Sequence, residues 1–279
     1  MEKAARYIQS KLQGLYPETE IKSFTYLILE KLTGFSHTEQ IINKSTIFSD
    51  EIRQQIESFI IKLQNFEPIQ YVLGETEFYG LIFKVNSSVL IPRPETEELV
   101  CWICNDHNLK SRIQILDIGT GSGCIAVSLK HLFSQSTVYA FDVSESALKT
   151  AQKNAELNHV PVQFSKIDIL DAPLLNSRWD IIVSNPPYVL EKEKNEMLTN
   201  VVKYEPSLAL FVPDNDPLLF YRHIAAFAQV HLNFGGELYF EINRSTGNTV
   251  AEMLISMGFH KVELRQDISG NDRMIKCFV

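Results

Sequence analysis

The sequence contains no long apolar run. None of its 279 residues falls in a stretch approaching the ~20 apolar residues that a membrane-spanning helix needs. The opening "MEKAARYIQSKLQG" is charged and amphipathic and has no apolar core of the kind a secretory leader carries. The expectation is a cytoplasmic protein with no membrane partner. A basic excess is also missing. The net charge is −8; residues 1–73 carry 8 Lys and Arg against 9 Asp and Glu, and residues 74–279 carry 18 against 25. Proteins whose main partner is a nucleic acid present a basic patch or stripe, so no direct nucleic-acid partner is expected. Cysteine is scarce, with four in the chain, too few and too scattered for a disulfide framework. Cys101 and Cys104 have metal-like spacing, but Cys124 and Cys277 stand alone and complete no site. The pair lies in "ETEELVCWICNDH", which reads as one amphipathic helix with Val100, Trp102 and Ile103 inward, so packing is the better account of it. The seven histidines form no H-x-x-x-H pattern, and no metal is expected.

What remains is an ordinary globular composition, 45% hydrophobic and 22% charged, with room for two domains. Residues 1–73 show apolar residues at helical spacing only, in "AARYIQSKLQGLY", "ETEIKSFTYLILEKLTG" and "SDEIRQQIESFIIKLQ". Gly34 suits a helix C-cap and Ser49 an N-cap, and a small helical bundle is predicted. Residues 74–92 alternate apolar and polar, with a Tyr-Gly turn at 79–80 and an Asn-Ser-Ser turn at 86–88, and read as a β-hairpin linker. Residues 93–279 form the third segment. Pro92-Arg93-Pro94 and then Glu95, Thr96 and Glu97 open the helix that holds the two cysteines. Strands are predicted at 112–118, 137–143, 162–167, 179–184 and 236–242, with helices at 122–133, 145–158, 217–233 and 246–257. Such alternation gives an α/β fold, a parallel sheet covered on both faces. The final runs "KVELRQDI" and "RMIKCFV" flank the turn sequence "SGND" and predict an antiparallel hairpin at the sheet edge.

Between the first of those strands and its helix stands "ILDIGTGSGCIAVSLK". Gly119, Gly121 and Gly123, interleaved with Thr120 and Ser122, let the backbone turn tightly and approach a ligand. A dinucleotide fingerprint needs G-x-G-x-x-G, but here the spacing is G-x-G-x-G and Cys124 follows. Asp117 before the loop suits a cationic ammonium better than a pyrophosphate. Asp142 closes the next strand, 21 residues beyond Gly121, where a ribose-hydroxyl acceptor belongs. Asp168 and Ile169 follow the third strand and suit an adenine pocket, although a solvated loop acid is an equal account of Asp168. Together the loop and its acids point to S-adenosylmethionine, a nucleoside that carries an amino acid.

The strand "IIVS" runs directly into Asn185-Pro186-Pro187-Tyr188. Two prolines leave a stretch of backbone that can only accept hydrogen bonds, and Pro186 keeps Asn185 extended. With Asn185 and Tyr188 on either side, this is a candidate acceptor-lined slot for a planar N–H₂ group. If the first and fourth strands are neighbours at the reversal of strand order, loop and slot share one crevice.

Asn-Pro-Pro-Tyr, "LDIGTGSG", "IPRPETEELV", "QYVLGETEFYG" and "YEPSLALF" together resemble the release-factor glutamine N5-methyltransferases, the HemK/PrmC family. The resemblance runs from about Pro68 to "DISGNDR" and implies a Rossmann-like methyltransferase sheet with an antiparallel C-terminal edge hairpin, preceded by a helical bundle. It implies S-adenosylmethionine as cofactor and, as partner, class 1 peptide chain release factors, methylated on the glutamine of their Gly-Gly-Gln motif. Asn185, Pro186 and Tyr188 would be catalytic, and Pro187, Arg93 and Glu95 would join them in binding substrate; Asn185 would also touch the cofactor. For Arg93, Glu95 and Thr96 helix capping is an equal account. Residues 1–73 would help to dock the large substrate. The chain departs from the family's pattern at Val212-Pro213-Asp214-Asn215-Asp216-Pro217 and at Asn243. Two alternatives are an amino-methyltransferase acting on adenine N6 or guanine N2, since the slot suits any planar N–H₂, and a nucleoside-binding protein without turnover. The lack of an aromatic and basic stripe opposes the first, and the intact Asn-Pro-Pro-Tyr opposes the second.

Overall fold

Helices account for the N-terminal residues, as their 3.6-residue apolar repeat predicts. In the computed structural model, which describes all 279 residues, they are α1 (Glu2–Leu12), α2 (Glu18–Thr33), α3 (His37–Ile42), α4 (Asp50–Gln64) and α5 (Ile69–Leu73). Ile8 and Leu12 of α1, Ile21, Phe24 and Ile28 of α2, and Ile56, Ile60 and Leu63 of α4 are buried together. Each such side chain contributes about 1.5–3 kcal/mol of transfer free energy. The expected caps are present: Gly34 is left-handed at φ 70° and donates to Glu30 O at 2.7 Å, and Ser49 Oγ accepts from Ile52 N at 3.4 Å. This first unit comprises Met1–Gly74 and also Leu198–Tyr204; Glu75–Met197 and Glu205–Val279 form the second.

The second unit begins with the hairpin β1 (Glu75–Phe78) and β2 (Leu81–Lys84), turning at Tyr79 and Gly80, whose φ values of 51° and 74° suit a two-residue turn. The main run follows: α6 (Pro94–Asp106), β3 (Gln114–Ile118), α7 (Cys124–Leu132), β4 (Thr137–Asp142), α8 (Glu145–Leu157), β5 (Gln163–Lys166) and β6 (Trp179–Ser184). After it come β7 (Val189–Leu190), α9 (Thr199–Tyr204, in the first unit), β8 (Phe211–Val212), α10 (Leu219–His231) and β9 (Leu232–Glu241). The chain closes with α11 (Gly247–Ser256), β10 (His260–Gln266) and β11 (Asp272–Phe278). The segment from 185 to 216 carries no periodic signal in the sequence, and its short β7, α9 and β8 have no sequence-based expectation to meet. Tyr204 at the end of α9 donates its hydroxyl to Asn65 O at 2.8 Å.

Seven strands form one sheet in the order β10-β11-β9-β6-β3-β4-β5. The strands from β9 to β5 pair in parallel, and β11 joins β9 antiparallel. The edge hairpin is present, with the last strand of the chain inserted between β9 and β10. Period-two alternation divides the core. Ile115, Ile181, Val183 and Tyr239 face α6 and α7 with Leu99, Trp102 and Val127; Leu116, Ile182, Leu238 and Phe240 face α10 and α11 with Ile224, Val250 and Leu254. Val100, Trp102 and Ile103 of α6 are buried as expected, while Cys101 is exposed. Because β3 pairs with both β4 and β6, the strand order reverses at β3, and the crevice lies beyond the carboxyl ends of β3 and β6. No helix is long and apolar enough to cross a membrane.

Candidate active site

A cavity of the second unit lies at that crevice. Its walls include Leu90–Arg93, Gly119–Ser122, Asp142, Asp168, Ile169, Asn185–Pro187, Pro206 and Ala209. The loop after β3 is held from behind by the main chain. Gly119 N and Thr120 N both donate to Phe141 O, at 2.9 and 3.0 Å, which ties the loop to the end of β4. Gly119 and Gly121 have φ of 74° and 55°, and a Cβ on either would meet nothing closer than 4.0 Å, so the space before them is open to a ligand. Gly123 differs: a Cβ there would stand 3.0 Å from Ala151 Cβ, so its missing side chain lets α7 pack on α8.

Asp142 ends β4 with Oδ2 accepting from Gly121 N and Oδ1 from Ser144 N, each at 2.8 Å. Each oxygen keeps a second lone pair, and the residue lines the cavity. Burial raises its carboxyl above the ordinary range, against the opposing pull of those main-chain bonds. Asp168 also lines the cavity and caps the turn at Ile169–Asp171 by accepting from Leu170 N at 3.0 Å. Asp117 is completely buried behind the loop. Its Oδ2 accepts from Thr120 Oγ1 at 2.6 Å and Ala126 N at 3.2 Å, Oδ1 has no partner, and burial pushes the carboxyl up to about 7.

On the opposite wall, Ser184 Oγ donates to Ile118 O at 2.6 Å, fastening the ends of β6 and β3. Asn185 Nδ2 donates to Thr96 Oγ1 at 3.3 Å, and Thr96 Oγ1 donates to Glu241 Oε2 at 2.6 Å. Tyr188 OH donates to Glu241 Oε1 at 3.2 Å. Glu241 is 1% exposed, and burial raises its carboxyl while the two hydroxyls and Arg273 oppose the rise. Asn185 Oδ1 and the Pro186 carbonyl accept no hydrogen bond from the chain. Arg93 Nη2 contacts both oxygens of Glu205, at 2.6 and 2.8 Å, and Glu205 is 5% exposed. This pair ties the "IPRP" wall to the "YEPS" wall.

The structure thus brings Arg93, Gly119, Thr120, Gly121, Ser122, Asp142, Asp168, Ile169, Asn185, Pro186 and Pro187 around one cavity. It places four of the sequence candidates elsewhere. Asp117 braces the loop from behind, where an ammonium contact was expected. Gly123 serves helix packing. Tyr188 is not on the cavity wall; it packs against the core on the α10 and α11 side with its hydroxyl on Glu241. Glu95 stands in the first turn of α6, outside the cavity wall. Glu241 and Glu205 carry no role in the sequence reading. The available signal for Glu241 was an acid closing the apolar run "ELYFEI".

Residues 104–205 match the family described as Methyltransferase small domain, and residues 3–74 match the PrmC N-terminal domain. The chain is 49% identical over 275 residues to a release factor glutamine methyltransferase of Flavobacterium psychrophilum, covering 97% of this chain and 96% of that protein. It is 44% identical over 276 residues to one from Bacteroides thetaiotaomicron, covering 99% of each. A solved methyltransferase from Pyrococcus furiosus aligns with a TM-score of 0.54 at 20% identity, over 83% of this chain and 98% of that one. A Thermus thermophilus 16S rRNA N2 G1207 methyltransferase, solved with AdoMet and guanosine, gives 0.52 at 17% identity, over 73% and 49%. These last two likenesses are of fold alone, and a fold shared with an rRNA enzyme does not choose the substrate.

Proposed function

The chain belongs to the release factor glutamine methyltransferase family, and we propose that it methylates N5 of the Gly-Gly-Gln glutamine in class 1 peptide chain release factors, using S-adenosylmethionine. The observation that carries the reading is the pair of acceptors, Asn185 Oδ1 and the Pro186 carbonyl, which no group of the chain occupies, on the wall facing the glycine loop. The residues present fit the cofactor. The open space before Gly119 and Gly121 admits its amino-acid portion, the second lone pairs of Asp142 suit two ribose hydroxyls, and Asp168 with Ile169 suits the adenine. When bound, S-adenosylmethionine supplies an electrophilic methyl on a sulfonium sulfur.

A carboxamide nitrogen is a weak nucleophile because its lone pair is shared with the carbonyl. Asn185 Oδ1 and Pro186 O each accept one of its two N–H bonds, which fixes the nitrogen and raises its electron density. Positioning and fixed dipoles are the chain's contributions. The proton is lost to water once the nitrogen has been alkylated and has become acidic, so no strong base is required of the chain. Residues 1–73 help to dock the release factor in the cytoplasm, a reading supported by Ile41, Ile42 and Ile47, which are 61%, 72% and 85% exposed. Because Leu198–Tyr204 belongs to the same unit, Ile42→Lys with Ile47→Lys tests docking more cleanly than a deletion does. The function itself is tested by incubating the protein with methyl-labelled S-adenosylmethionine and an unmethylated release factor, then sequencing the labelled peptide by mass spectrometry. Label on the Gly-Gly-Gln glutamine is expected. Label that nuclease removes and protease spares would assign a nucleic-acid substrate instead.

A further inference from the structure

We propose that Glu241 and Thr96 are positioning residues that determine which way round the Asn185 amide stands. The inference rests on the methyl-transfer reading above and adds the source of its specificity for an N–H₂ group. It follows from counting protons. Thr96 has one hydroxyl proton, is 2% exposed and lies 2.6 Å from Glu241 Oε2, the length of an O–H donated to a carboxylate. With Glu241 ionised and that proton committed, Thr96 Oγ1 can only accept from its remaining neighbour. The atom of Asn185 that faces it at 3.3 Å is therefore the N–H₂, and Oδ1 points the other way.

The fold sets this up over long distances in sequence. In the parallel pairing of β6 with β9, Ser184 lies opposite Phe240, so Glu241 is level with Asn185. Leu238 and Phe240 face α10 and α11, while Tyr239 and Glu241 point to the face where α6 carries Thr96. Tyr188 OH holds the second oxygen of Glu241 at 3.2 Å, so the carboxylate cannot turn away from Thr96. Reversing the Asn185 amide would place a donor beside the Pro186 carbonyl and against the donors of a substrate amide. One hydroxyl proton thus decides whether the slot accepts N–H groups.

The test uses full-length Glu241→Gln, Thr96→Val and Thr96→Ser. A glutamine at 241 can donate to Thr96, which frees the Thr96 proton to hold Asn185 in the reversed orientation. Glu241→Gln and Thr96→Val should lower single-turnover methyl transfer to an intact release factor by roughly 10–100-fold, the scale of a misaligned reacting group. The loss should fall on kcat rather than on KM, with S-adenosylmethionine affinity by calorimetry unchanged. Thr96→Ser keeps the hydroxyl and should restore transfer. Wild-type rates in Glu241→Gln and Thr96→Val would overturn the proposal, as would a Thr96→Ser variant as impaired as Thr96→Val, or donor affinity lost in step with rate. A second readout needs no turnover. The Asn185 side-chain N–H₂ resonances, identified by their absence in Asn185→Asp, should shift and exchange faster with water in Thr96→Val but not in Thr96→Ser. Unchanged resonances in Thr96→Val would overturn the geometry whatever the substrate proves to be, whereas a wild-type protein that labels no release factor would refute only the functional reading.

Discussion

The two walls of the cavity are built by different means. The glycine-loop wall is held largely by main-chain groups and by the neighbouring strand β4, with Gly119 N and Thr120 N on Phe141 O and Gly121 N on Asp142, and it is finished by local caps. Asp117 reaches Thr120 three residues on, Asp142 reaches Ser144 two residues on, and Asp168 reaches Leu170 two residues on. The Asn185 wall is held by side chains from distant parts of the chain. Asn185 and Thr96 are 89 residues apart, Thr96 and Glu241 145 apart, and Arg93 and Glu205 112 apart. A wall made of backbone and glycine depends chiefly on β3 and its neighbour β4, which one βαβ unit brings together. A wall made of side chains depends on the sheet register that brings β6, β9 and α6 together.

That contrast can be broken from either side, and the largest effect expected lies behind the loop. Burial holds the Asp117 carboxyl up to about 7 against an ordinary 3.8. Between those values the folded protein keeps a proton that the unfolded chain releases. Stability therefore falls as pH rises through the window from about 4 to about 7, by up to ~4 kcal/mol at 1.36 kcal/mol per unit. Asp117→Asn removes this slope, so urea unfolding at pH 5 and pH 8 should show the variant gaining on wild type as pH rises. Parallel behaviour would mean that Asp117 is not buried as described. On the other wall, Asn185→Ala leaves the prolines and the strand in place and should slow methyl transfer by about 10²–10³, or roughly 2.7–4 kcal/mol.

Next in size is Glu205→Ala, which leaves the Arg93 charge without its partner. Losing one member of a fully buried pair costs ~3–5 kcal/mol, and Arg93, 34% exposed, keeps some water, so about 2–3 kcal/mol of unfolding free energy is expected. Denaturant midpoints at constant m-value measure it. The smallest effect is Asp142→Ala, which should weaken S-adenosylmethionine binding by about 1.5–3 kcal/mol, the range for hydrogen bonds to a charged acceptor. Transfer at saturating donor should remain near the wild-type rate. A slow variant at saturation would show that the two walls are not separable.

The same contrast explains what could be read from the sequence. The alternation of β3 to β6 with their helices, the Tyr79-Gly80 turn and the caps at Gly34 and Ser49 are local features, and local chemistry states them. The cavity residues Gly119, Gly121 and Asp142 were legible for that reason. Glu241 was not, because its role exists only when β9 lies beside β6 and its face points at α6. Gly123 looked like its neighbours in sequence, and only the closeness of Ala151 distinguishes packing from ligand approach. Adjacency in sequence sets Tyr188 beside the slot, but its hydroxyl is drawn to a carboxylate 53 residues away.

The most direct test of this division of labour is the S-adenosylmethionine affinity of Asn185→Ala, measured by calorimetry on the same preparation used for single-turnover transfer. The account predicts nearly wild-type affinity beside a transfer rate lowered by two to three orders of magnitude, because Asn185 aims the amide while the loop, Asp142 and Asp168 hold the donor. Affinity lost as completely as activity would contradict it and move Asn185 to the cofactor side of the cavity.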